Sequence, residues 1–203
     1  MCKLKIIIIQ YLKEQEMLSG LAFKFLLEKN KDYISMQCPL DFYDVHSKNE
    51  FIEVLESIVN NEKYKNTPVL LHLESHGGEL GIGPWAENAL KSEFFFSYIS
   101  KLEKLSGGKL TLLLGTCMGA NSVNNHDNTG LSNILYSRNI LLSGQAFGSF
   151  RRFYERFLKD LNFEESINYM HNDFPVSIDA LGIQYGNSES APNKNENQSP
   201  SLL

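Results

Sequence analysis

No apolar run in the chain approaches the roughly 20 residues that a membrane-spanning helix needs. The opening, "MCKLKIIIIQYLKEQE", holds only a four-isoleucine block before charges return, so it reads as a strand and not as a signal peptide. No basic cluster stands out either, and the formal net charge is −5, which argues against a nucleic-acid partner. Cysteine is scarce: Cys2, Cys38 and Cys117 form an odd set without C-x₂-C metal-ligand spacing. Free thiols in a reducing, cytosolic setting fit that usage. There is no internal repeat and no sign of a second domain. What is present, 203 residues with 42% apolar and 21% charged side chains, suits one soluble globular domain of ordinary size.

Four short apolar blocks recur: "KIIIIQ" (5–10), "VLLHLES" (69–75), "KLTLLLG" (109–115) and "NILLSG" (139–144). Near-continuous apolarity over four to six residues predicts strands buried on both faces, as in a parallel sheet. "DYISMQ" (32–37) reads as a further strand. Helical periodicity fills the intervals. One stripe is Leu18, Leu21, Ala22, Phe25 and Leu26; a second is Phe51, Val54, Leu55, Ile58 and Val59, preceded by the capping box "SKNE" (47–50). A third helix is expected over about 86–105, with Phe95, Tyr98, Ile99 and Leu102 inward. A fourth carries Phe150, Phe153, Tyr154, Phe157, Leu158 and Leu161, and a short one with Ile167 and Met170 follows. Strands alternating with helices predict an α/β sandwich around a mainly parallel sheet over residues 1–186. The tail 187–203, "NSESAPNKNENQSPSLL", is polar and aperiodic, and disorder is expected there.

Two of the strand blocks end unusually. "VLLHLES" runs into His76-Gly77-Gly78, and "KLTLLLG" runs into Thr116-Cys117 followed by small residues. In open parallel sheets, functional groups collect beyond the carboxyl ends of the strands. If the two blocks are neighbours joined by the 86–105 helix, His76 and Cys117 emerge at one edge, across a gap of about 4.8 Å between strands. A free thiol, with a pKa of about 8.5, is mostly protonated at neutral pH and needs such a base. The imidazole of His76 can take the proton of Cys117 and later protonate a leaving amine. The oxyanion of a tetrahedral intermediate needs donors, and the backbone N–H groups of Gly77 and Cys117 are the candidates. Gly115, Gly119 and Ala120 keep the wall around the sulfur low.

These residues resemble the caspase-like cysteine peptidases, the structural class of caspases, metacaspases, separases and CHAT domains. "LLHLESHGG" is similar to the first CHAT motif, in which an extra histidine precedes His-Gly by four positions, as His72 does here. "LTLLLGTCMGANS" is similar to the second, and "SFRRFYERFLKDLNFEESI" (149–167) resembles the closing helices of that family. The resemblance covers about 68–167. It implies a caspase-like three-layer α/β/α sandwich and a cysteine endopeptidase with Cys117 as nucleophile and His76 as general base and acid. It also implies an oxyanion hole from the amides of Gly77 and Cys117, with no cofactor and no metal. By analogy the chain would be a regulated cytoplasmic effector of a prokaryote, in antiphage (antiviral) defence, acting on a protein or peptide substrate and awaiting an activating protein partner. Neither nucleic acid nor membrane is an expected partner. Gly115 stands where caspases carry glutamine and metacaspases aspartate, so the residue preferred before the scissile bond stays open.

Blander readings compete with each of these. Cys117 alone would be a buried small hydrophobe at a strand end, and His76 alone a turn residue in a glycine-rich loop. His72, between leucines, reads as a core histidine satisfied by a neighbouring carbonyl. His72, Glu74 and His76 share one strand face by the period of two, which with His126 and Asp127 would suit a metal-dependent hydrolase. A caspase-like module that binds a partner without catalysis is the remaining alternative. Asp41 and Asp44 are acidic but too loosely placed to assign to a site. A phosphatase is disfavoured, because no arginine follows the cysteine in "CMGANSV".

Overall fold

Isoleucines at four consecutive positions present β-branched side chains to both sides of a strand, which only a strand covered on both faces can bury. In a computed structural model, which describes residues 4–13, 16, 19–78, 81–84, 87–116, 131, 133–137, 143–173 and 181–185, they lie in β1 (Lys5–Tyr11), where Ile6 to Ile9 are all fully buried. The chain continues through α1 (Ser19–Lys29), α2 (Lys31–Met36), β2 (Leu40–Asp44), α3 (Lys48–Val59) and β3 (Val69–Ser75). A two-residue hairpin, β4 (Gly77–Gly78) and β5 (Gly81–Ile82), precedes α4 (Ser92–Leu105) and β6 (Leu110–Thr116). β7 (Asn133–Ser137), α5 (Ser143–Asp160), α6 (Phe163–Asp173) and β8 (Leu181–Tyr185) complete the described elements.

Six strands form one sheet in the order β2-β1-β3-β6-β7-β8, parallel throughout except for the antiparallel pair β7–β8. Phe51, Leu55 and Ile58 of α3 pack on one face with Phe95, Phe96, Ile99 and Leu102 of α4. On the other face lie Phe23 and Leu27 of α1, the aromatic stripe of α5, and Phe163, Ile167 and Met170 of α6. The result is a three-layer α/β/α sandwich. No helix among the described residues is long and apolar enough to cross a membrane.

Some expectations are corrected. Residues 32–37 are not a strand, because Asn30 caps the turn: its side chain accepts from the N–H groups of Asp32 and Tyr33 and starts α2. Among the described residues the strand after β6 is 133–137; of the expected strand 139–144, Ser143 and Gly144 belong to α5, and 139–142 lie outside the described residues. Helix α1 buries Gly20, Phe23 and Leu27 and leaves Phe25 51% exposed, so its inward stripe is rotated from the expected one. The close approach of Gly20, whose missing Cβ would lie 3.0 Å from the Gln10 Cβ, sets that rotation. Helix α4 begins at Ser92 and not near 86, and Phe94 is 44% exposed. In the expected capping box Ser47 accepts from the Glu50 N–H, but the Glu50 carboxylate accepts from His46 N–H, one residue earlier than the motif predicts. Cys38 is disulfide-bonded and not a free thiol. The expected disordered tail, 187–203, also lies outside them.

Candidate active site

β3 and β6 are parallel neighbours in a register that pairs Ser75, the last residue of β3, with Thr116, the last of β6. On the other side of β3, Tyr11 at the end of β1 pairs with Ser75. Three strands therefore stop at one carboxyl edge, and the segments that leave it begin at Leu12, His76 and Cys117. Cys117 itself, with Gly119, Ala120, His126 and Asp127, lies outside the described residues.

His76 is the first residue beyond β3 and is about half exposed. The Gly83 N–H donates to its carbonyl at 3.0 Å. His76 and Gly83 therefore form the hydrogen-bonded rung of the β4–β5 hairpin, and Gly77 opposite Ile82 is the next, non-bonded rung. The Gly77 N–H is thus not spent on β5. The hairpin needs glycine at 81: φ is +128°, and a Cβ there would lie 2.1 Å from the Leu90 carbonyl oxygen. At Gly78 a Cβ would meet nothing within 4 Å.

The ring of His76 turns toward the loop after β1, where its Nε2 lies 2.8 Å from Glu16 Oε2. The same oxygen accepts from the Lys13 N–H at 3.1 Å. Burial alone would raise the Glu16 carboxyl, but the Lys13 N–H, the His76 side chain, and the charges of both residues outweigh it and hold the carboxyl below its ordinary value. Nothing local in the sequence marks Glu16. Its one cue is its place beyond the carboxyl end of a buried strand, the zone in which functional groups were sought.

Behind His76, the alternate positions of β3 carry a buried polar row. His72 is fully buried, with Nδ1 2.9 Å from the Tyr154 hydroxyl; its partner is thus a phenol and not the carbonyl expected. The rings of Phe23 and Phe150 flank it, with centroids 4.7 and 4.8 Å away. His72 Nε2 and Glu74 Oε1 approach to 2.7 Å, yet neither atom reaches hydrogen-bond geometry with a partner among the described residues. The other Glu74 oxygen accepts from Ser19 Oγ at 2.6 Å. Burial first, and then the charge of Glu74, push the Tyr154 phenol well above its ordinary pKa.

This row explains Gly115. Its register partner is Glu74, and a Cβ at 115 would lie 2.2 Å from Glu74 Oε1. The missing side chain makes room for a carboxylate from the neighbouring strand. Among the described residues no group of three possible metal ligands occurs, and the ring of His76 turns to Glu16; His126 and Asp127, the further ligands of the metal alternative, lie outside the described residues. Asp41 and Asp44 are engaged elsewhere, Asp41 with Lys63 and the Tyr64 hydroxyl, Asp44 with Gln10.

No family model matches the chain, and no curated protein does. Among solved structures, the Drosophila initiator caspase Dronc superposes with a TM-score of 0.64 over 91% of this chain and 80% of that one, at 9% sequence identity. The fold is caspase-like. At that identity the likeness speaks for the fold alone, and the chemistry has to be argued from the residues at the carboxyl edge.

Proposed function

We propose that the protein is a cysteine endopeptidase of the caspase and CHAT type, with Cys117 as nucleophile and His76 as its base and acid. The observation that carries this reading is the Ser75–Thr116 register. It makes the residues that follow, His76 and Cys117, the first ones past two adjacent parallel strands, on a fold shared with a caspase. In the proposed reaction the Cys117 thiol loses its proton to the imidazole, the thiolate attacks the scissile carbonyl, and the imidazolium returns the proton to the leaving amine. The Gly77 N–H, unused by the hairpin, and the Cys117 N–H would hold the oxyanion. An acyl-enzyme thioester remains, which water opens with the same imidazole as base.

In this reading the substrate is a protein or peptide. Activation by a protein partner, and a role as a prokaryotic defence effector in the cytoplasm, belong to the same proposal and rest on analogy with the family.

The pair is tested by alkylation with iodoacetamide near neutral pH, read cysteine by cysteine through peptide mass mapping. Cys117 is expected to label about tenfold faster than in His76→Ala, because an imidazolium neighbour lowers a thiol pKa. Equal labelling rates in the two proteins would refute the pair.

A further inference from the structure

A histidine that serves a thiol must present one ring nitrogen to it, and something has to hold the other. In the structure that something is Glu16. Its carboxylate is fixed in place before the ring is considered. The Glu16 N–H donates to the Lys13 carbonyl at 3.0 Å, and the Lys13 N–H donates back to Glu16 Oε2 at 3.1 Å, closing a turn in both directions. The loop is also tied to β3 a second time, through Ser19 and Glu74. Onto this fixed oxygen His76 places Nε2 at 2.8 Å. Nδ1 has no partner among the described residues.

We propose that Glu16 is a positioning residue for His76: it accepts the Nε2–H, which leaves the lone pair on Nδ1 for the thiol of Cys117, and it stabilises the imidazolium formed when that thiol gives up its proton. This inference rests on the His76–Cys117 reading above. The proton balance is simple. The S–H bond breaks, the proton moves to Nδ1, and the positive ring keeps its Nε2–H on a carboxylate whose affinity for a proton is already lowered. The logic is that of a triad in which the acid orients the base and carries no proton itself. The acid here comes from the β1–α1 connection, 60 positions before the histidine.

The test extends the alkylation of Cys117 to Glu16→Ala and Glu16→Gln in the full-length chain, with folding checked by circular dichroism. Glutamine keeps an acceptor for Nε2–H but lacks the charge. Glu16→Ala should slow labelling about as much as His76→Ala, and Glu16→Gln should recover part of the rate, an order that mere loosening of the loop would not produce. Two results would overturn the inference while leaving the His76–Cys117 pair intact. One is a Glu16→Ala protein that labels at the parent rate while His76→Ala is slow; the other is a Glu16→Gln protein no faster than Glu16→Ala. Slowing by neither His76→Ala nor Glu16→Ala would instead remove the pair, and this inference with it. Independently of any thiol chemistry, the ¹³C titration of the Glu16 carboxyl should move up in His76→Ala. An unmoved titration would show that the two side chains do not meet in solution, and would also overturn the inference.

Discussion

The two faces of β3 are packed in different ways. Toward α3 and α4 it sends Val69, Leu71 and Leu73 into a core of aliphatic and aromatic side chains. Toward α1 and α5 it sends Leu70, then His72 and Glu74, and the packing there is half aromatic box and half polar row. The first face is held by area removed from water, which is insensitive to direction. The second is held by a few groups that must each keep a partner, so small changes there cost as much as large ones on the other side. One strand thus does two jobs: its apolar side fixes where the strand lies, and its polar side fixes what stands at the strand's end.

The largest expected effect comes from breaking the polar row. His72→Ala leaves Glu74 buried beside an empty space and removes the partner of the Tyr154 hydroxyl, and should cost about 3–5 kcal/mol in urea unfolding. The double change His72→Leu with Glu74→Leu should be much milder than the sum of its parts, since a buried pair can give way to apolar groups at little net cost. On the apolar face Leu73→Ala should cost about 3 kcal/mol and be additive with Leu112→Ala only in so far as their cavities do not merge. Additivity at His72 and Glu74 would erase the distinction between the faces.

Gly115→Ala comes next, at about 1–3 kcal/mol, because its Cβ must displace the Glu74 carboxylate from Ser19. The same substitution in a Glu74→Ala background should cost far less. An equal cost in both backgrounds would mean that Gly115 is needed for another reason.

The smallest effect is the pH response of Glu16. Its folded-state carboxyl is depressed, so whatever it contributes to stability is present above the ordinary carboxylate pKa and lost as pH falls through the lowered value. With Glu16 and His76 both partly exposed, solvent screening keeps this small. Difference melting curves of the parent and Glu16→Gln should converge at acid pH and separate toward neutrality; separation only at acid pH would reverse the assigned sign.

Much of this arrangement is legible in the residues themselves, and the failures have physical causes. β1, β3 and β6 are near-continuous apolar runs, interrupted in β3 by His72 and Glu74, and could be placed by that alone. β7 is hard to pick out because "NILYS" and "NILLSG" offer the same Asn-Ile-Leu start six residues apart, and periodicity cannot choose between short apolar runs. α2 reads as a strand in the sequence because a six-residue helix has too little periodicity to compete with its apolar content, and its decisive feature is the side chain of Asn30 just before it. The rotation of α1 depends on Gly20 nesting against Gln10, a contact no single-helix pattern contains. His76 was visible as a candidate because a glycine pair follows it. Glu16 was not, because a carboxylate in a polar loop is ordinary until the fold brings a distant ring to it.

The central claim is that the carboxyl edge of β3 and β6 cleaves peptide bonds through Cys117. The most direct measurement is mass-spectrometric readout of a peptide library incubated with the full-length chain, alone and with lysate added to supply an activator, in parallel with Cys117→Ala and His76→Ala. The account predicts new termini with the parent protein and none above background with either variant, the double variant being no worse than the single ones because nucleophile and base act as a unit. New termini appearing at the parent rate with Cys117→Ala would contradict it.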